Sequence, residues 1–229
     1  MKIDLHAHTS YSRDATLTPA ALVQSARRAG LDRIAVTDHN RIEGAWEAHR
    51  LDPSLIIPGE EIDCADGSHL IGLFLHDSIP RGLTVEDVAN RIRAQGGIVY
   101  APHPFAYLRW PRRKAERTLA VADIVEVFNG RAFWPPWNRR ALRAAQERGL
   151  GLAARSDGHF AHEIGGAWTE TPTFGTAAEF RAILAEARPQ GIRRSSPFVH
   201  VASLGIKLAK TIGVIANRES ATAELTANG

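Results

Sequence analysis

The start of the chain holds two histidines two positions apart, in the segment Ile3-Asp4-Leu5-His6-Ala7-His8-Thr9. Residues i and i+2 of a β-strand point to the same side, so a short strand here brings both imidazoles together. Neutral imidazole is the commonest metal ligand in proteins. Four further segments place His, Asp or Glu after an apolar run: Thr37-Asp38-His39-Asn40, Gly59-Glu60-Glu61, Pro102-His103-Pro104 and Ser156-Asp157-Gly158-His159. Such donors at five strand ends indicate a polynuclear hydrolytic metal site.

The first two segments supply histidine ligands with nearby carboxylates. His6 and His8 would chelate one metal, and Asp14 in the following loop either ends a turn or folds back onto a second ion. His39 is the predicted ligand of the second segment, with Asp38 as the carboxylate that orients its ring. The alternative for this pair is an Asx turn beside a surface histidine.

The next two segments supply a carboxylate and a further histidine. Neighbouring residues of a strand face opposite ways, so only one of Glu60 and Glu61 can point into the site. We assign Glu61 as a ligand that bridges two metals, and Glu60 as a solvated or salt-bridged side chain. Two prolines around His103 favour an extended backbone and a fixed ligand, whereas a tight turn is the alternative.

The remaining candidates lie around two strands. His69 precedes the fourth predicted strand and His76 follows it, and we predict that His69 completes a third metal site. Asp157 and His159 again have i, i+2 spacing and would close two metal sites from the opposite side. His49, His162 and His200 are expected to lie outside the ligand set, in structural or surface positions.

Strand-like and helix-like segments alternate along the chain, which is typical of α/β folds. Apolar runs predict strands at Ile3–Leu5, Arg33–Thr37, Leu55–Pro58, Leu70–Leu75, Gly97–Ala101, Ile124–Phe128 and Leu150–Ala154. Capping residues, glycines and prolines delimit predicted helices at Pro19–Ala29, Thr84–Gln95, Asn138–Arg148 and Ala177–Ala187.

The ligand pattern selects one α/β architecture. A barrel brings all its strand ends to one mouth, whereas an open doubly wound sheet would spread them along an edge. We therefore predict a distorted TIM-like (β/α)7 barrel, with residues 1–229 as a single domain and C-terminal helices over about 177–217. Segments 104–122 and 131–137 are predicted to be substrate-facing loops. The amphipathic segment Val201–Asn217 is a packing helix or a dimer contact, and residues 219–229 are expected to fray.

Composition places the chain among ordinary globular proteins. Its 229 residues are 44% hydrophobic and 23% charged, which indicates neither disorder nor a fibrous fold. The single cysteine, Cys64, excludes an intrachain disulfide and fits a reducing compartment. With neither a signal-peptide pattern nor a long apolar run in the sequence, we expect a cytoplasmic protein without a membrane partner.

Arginine greatly outnumbers lysine among the basic residues. Of the 28 basic residues only four are Lys, and Arg favours bidentate contact with phosphate, although a coding bias explains the excess equally well. One dense run beside aromatic residues suits nucleotide binding or forms a solvated loop. That run comprises Arg109, Arg112, Arg113, Lys114 and Arg117.

A mixture of carboxylates and imidazoles without cysteine suits Zn²⁺, Mn²⁺ or Fe²⁺ in a catalytic site. Paired metals lower the pKa of a bridging water and hold the oxygens of a phosphoryl group during displacement. Arg13, Arg131 and Arg155 adjoin the motifs and are candidates to neutralise the phosphate charge. The sequence contains no nucleophile elbow, Walker loop or dinucleotide-binding glycine motif.

The five segments, in this order over residues 1 to about 165, resemble the motifs of the PHP (polymerase and histidinol phosphatase) family. The resemblance implies a distorted seven-stranded barrel that binds two or three metals in a phosphoesterase site. It also implies three ligand sets: His6, His8, Glu61 and Asp157; Asp14, His39 and His159; and Glu61, His103 and His69. Phe128-Asn129-Gly130-Arg131 resembles a further family segment at the mouth. Arg155 departs from the pattern, since relatives usually carry a small residue there.

These observations predict a metal-dependent phosphoesterase in which a metal-activated hydroxide attacks small phosphomonoesters or nucleotides. Asp157 and His159 are the predicted catalytic metal ligands. The alternatives are a nuclease acting on short oligonucleotides, a metal-binding module without turnover, and a hydrolase of carbonyl or amide substrates. The sequence does not decide the metal, the substrate or the oligomeric state.

Overall fold

Strands and helices alternate in the computed structural model, which describes residues 1–105, 112–131, 135–190, 195–196 and 198–215. The strands are β1 (Lys2–Ala7), β2 (Arg33–Val36), β3 (Ile56–Asp63), β4 (His69–Leu73), β5 (Ile98–Ala101), β6 (Ile124–Asn129), β7 (Gly151–Arg155), β8 (Trp168–Glu170) and β9 (Arg188–Gln190). The helices are α1 (Pro19–Arg28), α2 (Glu43–Leu51), α3 (Val85–Ala94), α4 (Arg112–Val121), α5 (Pro135–Arg148), α6 (Ala177–Ala182) and α7 (Phe198–Thr211), with a 3₁₀ turn at Leu184–Glu186.

All these strands belong to one sheet in the order β7-β6-β5-β4-β3-β2-β1-β8-β9. The sheet curls into a nearly closed barrel, because Ala7 at the end of β1 forms a parallel bridge with Gly158 just after β7. Four neighbouring pairs are parallel and four are antiparallel, because β4 runs antiparallel to both β3 and β5, and β8 to both β1 and β9. The predicted distorted barrel is confirmed, and β4 and β8 run opposite to their neighbours.

Two apolar layers fix the barrel. Alternate strand residues such as Ile3, Ile57 and Tyr100 form one buried cluster, while residues such as Ile34 and Val99 pack into another with the surrounding helices. Burial on both faces explains why the strands read as continuous apolar runs rather than as alternating ones. The strand ends that carry the polar residues therefore extend from a tightly packed barrel.

Helices α1, α3 and α6 begin where the sequence supplies a capping threonine. Thr18 accepts a hydrogen bond from the Ala21 amide at the start of α1, and Pro19 occupies the first turn. Thr84 caps α3 in the same way. The predicted helix at Ala177–Ala187 is shorter than expected, since α6 ends at Ala182 and a 3₁₀ turn follows.

The sequence prediction missed three features of this fold. Helix α2 was not predicted, and the short strands β8 and β9 extend the sheet beyond the expected seven strands. The prediction of a loop over 104–122 was wrong for its second half, because residues 112–121 form α4. Likewise, α5 begins at Pro135, inside the segment 131–137 that was expected to be a loop. Arg109 and the tail 219–229 lie outside the described residues.

Helix α7 packs on the barrel with its polar side inward. Ser203 and Lys210 are buried, whereas Val201, Leu204 and Leu208 are each more than half exposed. This orientation is the reverse of an ordinary amphipathic helix, in which the apolar stripe faces the core. The helix predicted over Val201–Asn217 is observed over Phe198–Thr211, and side-chain hydrogen bonds of Arg131 and Lys210 contribute to holding it on the barrel.

Within the described parts of the chain, we find no helix long and apolar enough to cross a membrane.

Candidate metal centre

Glu61 in β3 lies at the centre of a cluster of imidazoles. One carboxylate oxygen, Oε2, is 3.1 Å from His6 Nε2 and 3.3 Å from His39 Nδ1. The other, Oε1, is 3.2 Å from both His69 Nδ1 and His103 Nε2. A single carboxylate thus faces donors from four segments of the barrel, as expected of a ligand that bridges metals.

The first group of donors comes from the ends of β1 and β7. His6 Nε2 and His8 Nε2 are 2.8 Å apart, with Glu61 Oε2 beside both. Asp157 Oδ1 lies 3.6 Å from His8 Nε2. The i, i+2 spacing and the bridge between β1 and the segment after β7 bring these four residues together, in agreement with the sequence prediction.

A second group surrounds Asp14 in the loop after β1. Its Oδ2 atom is 3.3 Å from His159 Nε2 and 3.8 Å from His39 Nε2. His8 also belongs to this group, because one ring nitrogen each of His8, His39 and His159 lies within 4.8 Å of the others. Of the two predictions for Asp14, the fold-back onto the site matches the geometry, and the simple turn does not.

The third group consists of Glu61, His69 and His103, again with donor atoms within 4.8 Å of one another. His69 reaches the site because β4 is antiparallel, so the beginning of this strand lies at the mouth where the other strands end. His76 follows the strand and is exposed outside the cluster. The preference for His69 over His76 agrees with the structure, but its physical reason is the strand direction.

The spacing of these donors fits metal coordination. Ligands at about 2.1 Å from a tetrahedral ion are separated by roughly 3.4 Å, since a tetrahedron's edge is about 1.6 times its centre-to-vertex distance. Most donor pairs around Glu61 are 3.1–3.6 Å apart. The buried Oδ1 atom of Asp14 also lacks a hydrogen-bond partner among the described residues. Both observations indicate that the cluster suits divalent ions.

The protonation states of these residues also favour metal binding. Burial and the nearby Arg155 lower the pKa of His6, and burial together with His159 lowers that of His8. Although burial raises the pKa of Glu61, the imidazoles of His6 and His39 beside it outweigh burial and hold this pKa well below its usual value. His6 and His8 therefore present neutral imidazoles, and Glu61 an ionised carboxylate, near neutral pH, and these are the forms that bind metals.

His159 and Asp14 form an ion pair in the absence of a bound cation. Burial lowers the pKa of His159, but the Asp14 carboxylate outweighs it and raises this pKa overall. The same interaction keeps the pKa of Asp14 far below its usual value despite burial. A metal bound here would replace the imidazole proton as the partner of Asp14.

Backbone strain accompanies two of the ligand candidates. His103 has φ 29° and Asp157 has φ 56°, both in the left-handed region that non-glycine residues seldom adopt. The prediction of an extended backbone at His103 was therefore wrong. Such conformations persist where the surrounding structure overdetermines them, and they concentrate at functional sites.

Asp38 supports the site in a different way from the predicted one. Its carboxylate accepts hydrogen bonds from the Thr9 amide and hydroxyl and from Ser12 Oγ, and it does not orient the His39 ring. Ser12 Oγ lies 3.1 Å from His8 Nδ1. Asp38 thus holds the loop after β1 and, through Ser12, the ring of His8. The hydroxyls of Thr9 and Ser12 were missed because Ser and Thr carry no distinctive sequence signal.

Glu60 also departs from the prediction. It was expected to be solvated or salt-bridged, yet it is fully buried and accepts hydrogen bonds from Ser78 Oγ and the Ile79 amide. Burial raises its pKa to about 7. Its side chain points away from Glu61, as alternation along a strand requires.

Arg155 lies behind the metal centre rather than in it. Its guanidinium is fully buried, forms an ion pair with Glu126, and lies 3.1 Å from Asp157 Oδ1. It is thus inaccessible to a phosphate, and the prediction that it contacts substrate does not fit the geometry. Arg155 instead fixes Asp157 and, against the effect of burial, keeps its pKa well below the usual value.

Arg131 lines the cavity, but its guanidinium is engaged in fastening α7. Nε donates to Glu163 Oε1 at 3.0 Å, and Nη2 donates to Ser203 Oγ at 2.9 Å and to the Val199 carbonyl at 3.2 Å. His200 was expected outside the ligand set, and the structure places it at the rim of the cavity, with Nε2 3.0 Å from the Arg131 carbonyl.

Lys210 fixes the other end of α7. Its ammonium donates to the carbonyls of Ser10, Ser12 and Ala15, at 2.7–2.8 Å. This places α7 beside the ligand-bearing loop after β1, with Ser203, Leu204 and Lys207 facing the metal centre.

The resulting cavity has a volume of about 260 Å³. A second cavity of about 480 Å³ adjoins it, and Arg13 lies there rather than beside the metal ligands. The structure thus brings all nine predicted metal ligands together. The three predicted arginines have other roles: Arg13 lines the second cavity, Arg131 anchors α7, and Arg155 forms a buried ion pair. The ligands are His6, His8, Asp14, His39, Glu61, His69, His103, Asp157 and His159.

Comparisons with known proteins agree with this geometry. Family models match the PHP domain at residues 4–73 and the PHP-associated region at residues 135–189. An uncharacterized protein of Methanocaldococcus jannaschii is 37% identical over 145 residues, which cover 56% of this chain and 82% of that protein. A second from the same organism is 33% identical over 174 residues, covering 73% of this chain and 69% of the relative.

Solved structures share the fold at low identity. A two-domain protein of Bacteroides vulgatus containing a predicted PHP-like metal-dependent phosphoesterase has TM-score 0.60 and 22% identity, over 74% of this chain and 57% of that one. PsfC of Pseudomonas syringae has TM-score 0.64 and 18% identity, over 91% and 98%. An amidohydrolase of Chromobacterium violaceum, with bound sulfate and no metal, has TM-score 0.61 and 16% identity, over 82% and 98%.

Proposed function

Because the chain belongs to the PHP family, we propose that it is a metal-dependent phosphoesterase that hydrolyses small phosphomonoesters or nucleotides. The observation that carries this proposal is the convergence of imidazole and carboxylate donors on both oxygens of Glu61. Membership of the family and the structural neighbours support the broader assignment, a metal-dependent hydrolase whose substrate is not assigned.

The donor groups suit two or three divalent ions, Zn²⁺, Mn²⁺ or Fe²⁺, because they mix nitrogen and oxygen donors without sulfur. One set would comprise His6, His8, Glu61 and Asp157, a second Asp14, His39 and His159 with His8 nearby, and a third Glu61, His69 and His103. When bound, such ions lower the pKa of water and polarise phosphoryl oxygens.

Residues of the chain supply the remaining requirements. Arg155 and Glu126 hold Asp157 from behind, so that a ligand carboxylate stays oriented toward the cavity. Lys207 faces the metal centre from α7 and is the cation we assign to the substrate phosphate. Arg131 acts indirectly, by holding α7 over the cavity.

A metal measurement and a turnover measurement on the same preparation test the proposal. Metal content is measured by inductively coupled plasma mass spectrometry for the wild type, His39→Ala and His76→Ala. Phosphate release is then followed from an aryl phosphate, a mononucleotide and a short oligonucleotide. His76→Ala is the matched control, because this histidine is exposed and outside the donor cluster.

We expect about two or three ions per chain in the wild type and a fall in both metal content and phosphate release in His39→Ala alone. Preference for the oligonucleotide, with strong salt dependence, would indicate a nuclease instead. Metal without hydrolysis of any ester would contradict the phosphoesterase and favour the binding module. Release of a carboxylate from a panel of amide substrates would instead favour a hydrolase of carbonyl or amide substrates.

A further inference from the structure

Helix α7 and the turn after it carry a concentration of exposed apolar side chains. Among the described residues, eight large apolar side chains are exposed, and six of them lie within residues 198–214, with exposed fractions of 56–80%. Single exposed apolar residues are normal on a protein surface, but a contiguous cluster of them marks an interaction surface. The six are Phe198, Val201, Leu204, Leu208, Ile212 and Val214.

Most of these side chains belong to one stripe on the outer side of the helix, centred on Gly205. Apolar residues occur three, four and seven positions away from this glycine in both directions along the chain. At about 100° per residue, these positions span a stripe roughly 120° wide. The outer stripe comprises Phe198, Val201, Ala202, Gly205, Leu208, Ala209 and Ile212. Ile212 belongs to it because its amide donates to the Leu208 carbonyl at 3.0 Å and continues the helical pattern.

The equal spacing on both sides of Gly205 suits an identical helix that runs in the opposite direction. In a two-fold contact, residue i meets residue j of the other copy while j meets i. With both glycines at the crossing point, Val201 of each copy lies beside Leu208 of the other, and Phe198 lies beside Ile212. A Cβ atom at Gly205 would have no neighbour within 4 Å, so the main chain is open at this point and a second helix can approach closely.

The outer stripe contains no charged residue, which distinguishes a second copy from a lipid surface as its partner. A helix that lies on a membrane carries Lys and Arg beside its apolar face. The cations of α7 are on its other sides, since Lys210 is buried against main-chain carbonyls and Lys207 faces the metal centre. An uncharged, apolar stripe is matched by another stripe of the same kind.

We propose that α7 pairs with α7 of a second copy of this chain in an antiparallel, two-fold dimer centred on Gly205. The six exposed side chains offer on the order of 700 Å², which exceeds the largest apolar patch of a typical monomer, about 300–600 Å². This area approaches the value of about 800 Å² per partner in a standard interface. Residues 216–229 contain a single large apolar residue, Leu225, and so lack the apolar area to bury the outer stripe themselves.

The dimer would hold the wall of the metal cavity from outside. Leu204 lies at the edge of the outer stripe and also lines the cavity, together with Ser203 and Lys207 of the same helix. The hydrogen bonds of Arg131 and Lys210 fasten the inner side of α7, and the second copy would cover its outer side. The amides of α7 should therefore exchange their hydrogens more slowly as dimer forms with rising protein concentration.

Sedimentation velocity of the full chain over a concentration series tests the proposal. Two variants place opposite charges at the paired positions, Val201→Lys and Leu208→Glu, and each is measured alone and in an equimolar mixture. Both side chains are more than half exposed, so the folded chain accommodates the charges, and circular dichroism checks this. The matched control is Leu142→Glu, which changes an isolated exposed leucine on α5.

We expect dimers for the wild type and for Leu142→Glu, and a dissociation constant at least about tenfold higher for Val201→Lys or Leu208→Glu alone, because each leaves charges unpaired in the contact. The mixture should dimerise again, since every mixed pair has one Lys–Glu contact and one Val–Leu contact. Hydrogen exchange of α7 should slow with concentration in the wild type and not in Leu208→Glu.

A wild type that stays monomeric over the whole series would overturn the proposal. Dimers that survive both charge substitutions would place the contact elsewhere, and a mixture that stays monomeric would refute the antiparallel pairing. If monomeric wild type binds vesicles of phosphatidylcholine and phosphatidylserine and Leu208→Glu does not, the outer stripe binds lipid and not a second copy.

Discussion

The two sides of the metal cavity are built in different ways. On one side, Glu61, His6 and His8 project from strands that are buried on both faces. On the other side, α7 leaves apolar residues such as Val201, Leu204 and Leu208 exposed and is held by the hydrogen bonds of Arg131 and Lys210. The first side gains its precision from core packing, whereas the second depends on a few polar contacts. The structure therefore separates the groups that bind metal from the groups that shape access to it.

The largest expected effect comes from removing the shared carboxylate on the strand side. Glu61→Ala should release metal from every donor group that uses Glu61 and reduce phosphate release by at least about a thousandfold, because both carboxylate oxygens are lost at once. Metal content and steady-state rates would check this. Glu60→Ala, which changes the adjacent carboxylate on the opposite face, is the control and should keep its metal. Full metal retention by Glu61→Ala would contradict the assignment of Glu61 as the shared metal ligand.

A second variant tests the buried support of the strand side. Arg155→Met leaves the buried Glu126 carboxylate and the partly buried Asp157 carboxylate without their cation. Breaking a buried ion pair in this way costs about 3–5 kcal/mol of unfolding free energy. Urea denaturation measures this loss, and Arg155→Met combined with Glu126→Leu should recover part of it. If the single variant is as stable as the wild type, Arg155 does not compensate these charges.

The helical side predicts a smaller and different effect. Lys210→Met removes three hydrogen bonds to main-chain carbonyls, so α7 should exchange its amide hydrogens faster and KM should rise several-fold. Metal content should stay at the wild-type level, because these three hydrogen bonds go to main-chain carbonyls and not to the metal donors. Thr211→Ala, on the exposed side of the same helix, is the control. Loss of metal in Lys210→Met would show that the two sides are not separable.

The smallest effect concerns Glu60 and pH. Its pKa in the folded protein is about 7, against an ordinary value of 4.5, because of burial. The folded state therefore binds more protons than the unfolded state between these values, and stability falls as pH rises from about 4.5 to 7. Glu60→Gln should reduce this decline, so its Tm advantage over the wild type should be larger at pH 8 than at pH 5. Thermal unfolding at both pH values provides the measurement, and parallel pH profiles for the two proteins would contradict it.

Sequence reasoning succeeded where local pattern and burial coincide. His6 and His8 could be predicted because alternation on a strand leaves no other arrangement for residues i and i+2. The same rule allowed only one of Glu60 and Glu61 to face the site, but it did not itself select Glu61. The barrel followed from the number of strand ends that carry donors, since a barrel mouth collects them.

Sequence reasoning failed where the outcome depends on direction or on partners far apart in the chain. The reversal of β4, which brings His69 rather than His76 to the mouth, has no local signal. The ion pair of Arg155 with Glu126 joins residues on neighbouring strands, so an arginine beside a motif was taken for a substrate contact. Helix α7 packs by its polar side, which contradicts the usual reading of an amphipathic segment.

Glu61 faces imidazoles with both of its oxygens, and this makes the occupancies of the neighbouring sites thermodynamically dependent on one another. A cation bound beside Glu61 would disfavour a second cation nearby by repulsion, but it would also order the carboxylate that the second cation needs. The balance of repulsion and ordering sets a coupling free energy, which is reciprocal by necessity. Metal titrations of this protein should therefore yield stepwise constants that belong to the cluster as a whole, and a substitution at one site will change the affinity of its neighbours.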